Sequence, residues 1–258
     1  MKESYPQSGW SCDQTLRIFW DDGLKYEEER MKVIQMLSRD GWFNYSYAVV
    51  GQNQKAWCVD PWDGEEIFAH LDGQSIIIEG IINTHSHPDH TRGNEELARL
   101  SGAPILSHEA LLGQTLIPLD VHTTIEVKGT NGHTMDHLSF LLWERGVLTG
   151  IISGDVLFNF GVGNCKNGGD VAMLFQTIQT LNELLPDDCT LYPGHDYMET
   201  NLGFAMANGV EKASEFMSQF EDWAGKNTTM GLERKINPFL QARTLEKFSA
   251  LRALRDEW

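Results

Sequence analysis

The sequence predicts an α/β sandwich with a C-terminal helical appendage, and three features carry that prediction. Short apolar runs, each closed by Gly, Asn or Pro, recur through the first two thirds of the chain. Amphipathic stretches with helical spacing alternate with them. From residue 197 onward only helical patterns remain. In order, KVIQML, YSYAVVG and AWCVDP read as strands, because each is brief and rich in β-formers and a turn residue follows soon after. EEIFAHL reads as a short helix. SIIIEGII is a continuous β-branched run, the pattern of a strand covered on both faces. GNEELARLSG reads as a helix ended by Gly102, and APILSH as a strand. HTTIEVKG, SFLLWE and GVLTGIIS are three further strands. DVAMLFQTIQTLNELLP reads as a helix capped by Asp170 and closed at Pro186, and CTLYPG as the last strand. ETNLGFAMANG, VEKASEFMSQFEDWAG and TLEKFSALRALRDEW read as helices.

The organisation expected is an extension over residues 1–30, a mixed core over 31–196 and a helical unit over 197–258. With 258 residues, 41% of them hydrophobic, the chain is ample for a packed core and unlike a disordered one. A net charge of −17 excludes a phosphate-tracking face, so no nucleic-acid partner is expected. No apolar run reaches the roughly 20 residues that span a bilayer. MKESYPQSGWSCDQ has no apolar signal core, and the four cysteines (Cys12, Cys58, Cys165, Cys189) are scattered. Reduced thiols and a cytoplasmic location are therefore expected. Oligomeric state is left open by the sequence.

The chemistry concentrates in INTHSHPDHTRGN. Four donor side chains, His85, His87, Asp89 and His90, fall within six positions directly after a buried strand. Imidazole and carboxylate together suit Zn, Mn or Fe. Pro88 stops the strand, so the cluster sits on a turn, where the scaffold fixes one end and solvent reaches the other. Asp89 and His90, being adjacent, can serve a second position a few ångströms from the first. One turn supplies too few donors, and further ones follow strands elsewhere: His133 and His137 in NGHTMDH, Asp155 in IISGDVLF, and His195 in LYPGHDY.

The order THSHPDH, NGHT, ISGDVLF, YPGHDY resembles the metallo-β-lactamase fold superfamily. Within it the chain is most similar to glyoxalase II, the hydroxyacylglutathione hydrolases, through HTMDH, GHDYMETNLGFA, INPFL and LRALRDEW. The resemblance implies an αββα sandwich and two divalent ions, zinc first, with iron or manganese also accepted. It implies that His85, His87 and His133 hold one ion, that Asp89, His90 and His195 hold the other, and that Asp155 bridges them. His137 is left as a supporting residue. The activity implied is thioester hydrolysis by a hydroxide shared between the ions, with Asp89 also orienting the nucleophile. The substrate would be a small-molecule glutathione thioester, its thiol pocket closed by the C-terminal helices. Tyr197 and Arg255 match family contacts to glutathione. The family's GCGK-x-Y loop reads GVGNCK here, placing Asn164 at its lysine and Lys166 at its tyrosine, and a second C-terminal lysine falls at Trp258. Those departures thin the expected carboxylate anchor. Two rivals share the motifs. One is a persulfide dioxygenase with a single iron, suggested by MGLERKINPFL and KNGGDVAML. The other is a hydrolase of the same fold with a non-glutathione substrate.

Overall fold

A computed structural model describes residues 31–38, 42–218 and 226–258. The extension expected over 1–30, with Cys12, lies outside the described residues. The first sheet has the order β1 (Lys32–Leu37), β2 (Tyr45–Val50), β3 (Lys55–Val59), β4 (Ile77–Ile82). β1 to β3 are antiparallel, and β4 joins β3 in parallel after the crossover helix α1 (Gly64–Asp72). The second sheet runs β5 (Leu116–Pro118), β6 (Thr123–Gly129), β7 (Leu138–Glu144), β8 (Val147–Gly154), β9 (Thr190–Pro193). It is antiparallel as far as β8. β9 is parallel to β8, joined by helix α5 (Val171–Leu184).

The layers follow from side-chain alternation. On β2, Tyr45, Tyr47 and Val49 enter the core between the sheets, where they meet Ile125, Phe140, Leu142 and Ile152. Ala48 and Val50 point the other way, into a core shared with Ile67 and Leu71 of α1 and Leu97 of α3 (Asn94–Ser101). A strand covered on both faces is apolar on both, which is why YSYAVV is buried throughout. The outer face of the second sheet is covered by Leu174, Ile178 and Leu181 of α5 and Phe248 and Leu251 of α10 (Leu245–Asp256). The result is αββα, as expected.

Helix boundaries obey local chemistry. Asp170 caps α5 by accepting the Met173 N–H, and Asp63 caps α1 through Glu66 N–H. Gly102 ends α3 at φ 75°, a left-handed position that suits glycine. The strand expected at APILSH does not form. Ile105 makes only an isolated bridge to Ile81, and Ser107 then caps α4 (His108–Gly113) by accepting the Ala110 N–H. Pro104 lacks an N–H, so the segment pairs through the Pro104 carbonyl and the Leu106 N–H alone. Beyond β9 lie α6 (Met198–Ala207), α7 (Glu211–Met217), α8 (Met230–Ile236) and α9 (Pro238–Gln241), then α10. Phe204, Phe239 and Phe248 from this stretch pack into the outer core of the second sheet. Among the described residues no helix is long and apolar enough to cross a membrane.

Candidate metal centre

The C-terminal ends of the two parallel strand pairs meet at one edge of the sandwich, and the donors come from there. β4 delivers His85 and His87. Pro88 then starts a one-turn helix, α2 (Pro88–Thr91), which carries Asp89 and His90. The β6–β7 turn supplies His133, and His195 follows β9. Asp155 follows β8 through Gly154, whose φ of 51° turns the chain into the site. A Cβ there would come within 2.7 Å of both His137 and Thr84, so glycine is required.

Two trios converge. His87 Nδ1 lies 2.9 Å from His85 Nε2 and 3.2 Å from His133 Nε2. His195 Nε2 lies 3.3 Å from His90 Nε2 and 3.4 Å from an Asp89 oxygen, with His90 3.5 Å from the same oxygen. Asp155 stands between them. Its Oδ2 is 3.5 Å from His133 Nε2 and 3.3 Å from His195 Nε2, and its Oδ1 is 3.5 Å from His90 Nε2. Four ligands at about 2.1 Å around an ion stand about 3.4 Å apart, so these spacings are those of tetrahedral edges.

Hydrogen bonding outside the cluster decides what points inward. His133 Nδ1 donates to the Asn164 carbonyl at 2.7 Å and His195 Nδ1 to the Trp42 carbonyl at 3.0 Å. His90 Nδ1 donates to Asp60 at 2.9 Å, and His87 Nε2 to the Asn167 carbonyl at 3.3 Å. His85 Nδ1 donates at 3.0 Å to the Thr84 hydroxyl, whose own proton goes to Asp60 at 2.6 Å. In its neutral form each ring spends its proton outward and turns a lone pair inward. Five such nitrogens facing one another call for positive charge between them, as protons or as cations. Asp155 adds to that demand, because its Oδ1 is buried without a hydrogen-bond partner. The donor set therefore fits divalent metal ions.

The electrostatics agree. Burial pushes His85 far down and lowers His133, which favours the neutral form of both. Burial also opposes charge on His90 and His195, but Asp155, helped by Asp60 and Asp89 respectively, outweighs it and raises both to about 10. Burial likewise opposes ionisation of Asp155, yet His195 and His90 hold it far below the usual carboxylate range. The carboxylate-rich side thus demands positive charge, and protons and metal ions compete to supply it. His137 has a different place. Its Nε2 accepts the Asp155 N–H at 3.1 Å while Nδ1 meets Thr130 at 2.9 Å, leaving no nitrogen for a metal.

Beside the trios is a polar cleft of about 270 Å³. Tyr197 stacks on His195 with rings 4.9 Å apart and 4° from parallel, connecting cleft and cluster. Asn164, Lys166 and Arg255 line the cleft too, so the four expected substrate contacts come together. Arg255 is half-buried and gives Nε and Nη2 to Asn201 Oδ1, both at 3.2 Å. Lys166 is exposed and lies 3.7 Å from Asp256. Cys165 is half-buried, and burial pushes its thiol up to about 11, which suits a packing role.

Residues 62–116 match the Metallo-beta-lactamase superfamily. The chain is similar to the hydroxyacylglutathione hydrolase of Polaromonas sp. (strain JS666 / ATCC BAA-500), at 30% identity over 88% of this chain and 100% of that one. It is also similar to that of Nitrosococcus oceani, at 31% identity over 82% of this chain and 86% of that one. The chain belongs to the hydroxyacylglutathione hydrolase, or glyoxalase II, family. It is a metal-dependent hydrolase. Among solved structures, ETHE1 from Myxococcus xanthus matches the fold at TM-score 0.65 and 21% identity, covering 86% of this chain and 90% of that one. A metallo-beta-lactamase from Staphylococcus aureus subsp. aureus COL matches at TM-score 0.67 and 20% identity, covering 88% and 72%.

Sequence reasoning missed four residues of this glyoxalase II centre. Asp60 is 3% exposed and accepts from Thr84 N–H, Thr84 hydroxyl and His90. Its trace is the Asp-Pro directly after the apolar strand AWCV. Asn44 donates to Asp89 at 2.9 Å, and nothing in its local sequence marks it. Asn201 holds Arg255. Arg252 lines the cleft, and its trace is the spacing Phe248, Leu251, Arg252, Arg255 along one face of α10.

Proposed function

We propose that the chain hydrolyses thioesters of the hydroxyacylglutathione type, with residues 31–196 carrying a two-ion centre and 197–258 closing the thiol side of the cleft. Zinc is the proposed occupant, and iron or manganese suits the same donors. His85, His87 and His133 would hold one ion, Asp89, His90 and His195 the other, with Asp155 shared. The observation that carries two ions rather than one is the completeness of both trios: the one containing Asp89 closes to 3.3–3.5 Å and the all-histidine one to 2.9–3.2 Å, each within reach of a single ion.

Divalent ions held there would bring the pKa of water toward about 7 and polarise a carbonyl oxygen. The protein supplies the rest. Asp89 is the most exposed of the carboxylates at 24%, and Asn44 and His195 fix its oxygen, so it can orient an attacking water. Burial, then Asp155 and Asp89, push Tyr197 up to about 12. It therefore remains a phenol and a hydrogen-bond donor at neutral pH. Arg255 and Lys166 present positive charge to the carboxylate end of the thiol, and Asn164 offers an amide nearby. Each charge-assisted bond formed there is worth on the order of 1.5–3 kcal/mol.

The deciding assay is hydrolysis of S-lactoylglutathione by the metal-loaded protein, reversed by a chelator and restored by the metal. Stoichiometric iron with oxygen uptake on glutathione persulfide, and no thioester turnover, would replace this reading with the dioxygenase.

A further inference from the structure

Arg252 is buried in a way that a substrate-gripping arginine is not. Only 6% of it is exposed, and both terminal nitrogens are committed to the protein, while the buried Nε has no hydrogen-bond partner. Nη1 donates to the carbonyls of Val162, at 2.7 Å, and Gly163, at 3.1 Å. Nη2 donates to Asp256 at 3.0 Å, and the guanidinium lies over the Phe239 ring at 5.5 Å. The next carbonyl along, that of Asn164, is the one that accepts from His133 Nδ1. This short segment is also pressed against the donors. A Cβ added at Gly163 would overlap the Asp155 carbonyl oxygen and come within 3.0 Å of His133 Nδ1. The segment has no room to drift without moving two of the expected ligands. Its far end is held from the same helix, because Lys166 pairs with Asp256, which also pairs with Arg252.

We infer that Arg252 is a positioning residue for the metal centre. By fixing the peptide planes of residues 162–164 it sets the acceptor that orients the His133 ring, and so aims His133 Nε2. Helix α10 is thereby coupled to the ions through one guanidinium and one carbonyl. Removing the fork frees two carbonyls, lets the segment relax, and leaves His133 with a displaced partner. Outer partners of ligating histidines commonly set metal affinity by 10- to 100-fold. The inference rests on the metal reading of the cluster and is independent of the thioester.

The test uses the full chain, stripped of metal and titrated with zinc against a chromophoric chelator. Arg252→Met keeps the stem packed on Phe239 and loses every donor. Arg252→Lys keeps a charge opposite Asp256 but reaches one carbonyl at most. Lys247→Met, on the exposed face of α10, controls for changes to the helix itself. Circular dichroism and the melting temperature of the metal-free chain report folding. The expected result is that folded Arg252→Met binds one of two ions at least about tenfold more weakly, with Arg252→Lys between it and the parent. A purely structural arginine would lower the melting temperature and leave both affinities alone, and that result overturns the inference. Failure of both variants to fold also counts against it, since Arg252 is then a core residue. A parent chain that takes up no divalent ion sinks the metal reading instead.

Discussion

Asp60→Asn is the most informative substitution for the centre, because it changes one atom and no volume. Asp60 accepts three hydrogen bonds: from Thr84 N–H at 2.7 Å, from Thr84 hydroxyl at 2.6 Å and from His90 Nδ1 at 2.9 Å. An amide oxygen can keep the first. The amide nitrogen then stands where Oδ2 stood, facing the Thr84 hydroxyl and His90 Nδ1. As a donor it drives the His90 proton from Nδ1 to Nε2, the nitrogen turned toward the centre of its trio. His90 in that tautomer has no lone pair to give. Loss of a charge-assisted bond to a ligating histidine is worth about 1.5–3 kcal/mol, or roughly 10- to 150-fold in affinity. The hydroxyl of Thr84 can turn to accept, so the fold should survive with a modest loss. The assay is metal stoichiometry and affinity by chelator competition, with cobalt absorption as a check on ligand geometry. One ion should remain at near-parental affinity while the other weakens by that factor, and turnover should fall with it. Two ions at parental affinity with full turnover would refute the tautomer argument and the place given to His90.

Other outcomes follow from the same geometry. Asp155→Ala should lose both ions and activity together, because its two oxygens lie against donors of both trios. Retention of either ion at full affinity would remove it from its shared position. Arg255→Ala should raise KM for a glutathione thioester about tenfold or more with kcat little changed, the pattern of lost uniform binding. A KM equal to the parent's would place the thiol elsewhere. Metal uptake near pH 8 should release at least two protons, because His90 and His195 are raised to about 10 and must lose their protons to ligate, and water held by the ions would add to them. Calorimetry in two buffers of different ionisation enthalpy measures this, and no release would contradict it. Glu233 is buried against Phe160 N–H, Thr228 and Asn237, and burial raises it from 4.5 to about 7. It binds its proton more tightly when folded, so its contribution to stability is complete below about pH 4.5 and is lost as pH rises through about 7. Glu233→Gln should flatten the melting temperature between pH 5 and 8, and an unchanged slope would refute the assignment.

The sequence by itself determined the features that depend on near neighbours. The HxHxDH spacing after an apolar strand placed four donors on one turn, and Pro88 made that turn by refusing to extend the strand. Asp170 and Gly102 bounded their helices through atoms within three or four residues. The remaining donors, His133, Asp155 and His195, were legible because each follows a strand, and strands carry their own periodicity. APILSH misled because its composition is that of a strand while Pro104 withholds a donor and Ser107 offers a cap.

Only the tertiary structure decided which distant groups hold the donors in place. Asp60 reaches His90 across 30 residues and Asn44 reaches Asp89 across 45, while Arg252 reaches Gly163 across 89. Such pairs depend on strand register and on how α10 docks against the second sheet. Their energy comes from burial and direction, and neither is written in the spacing of residues along the chain. A ligand can announce itself by its chemical type, but the carbonyl or carboxylate that orients it is ordinary until the fold brings it within 3 Å.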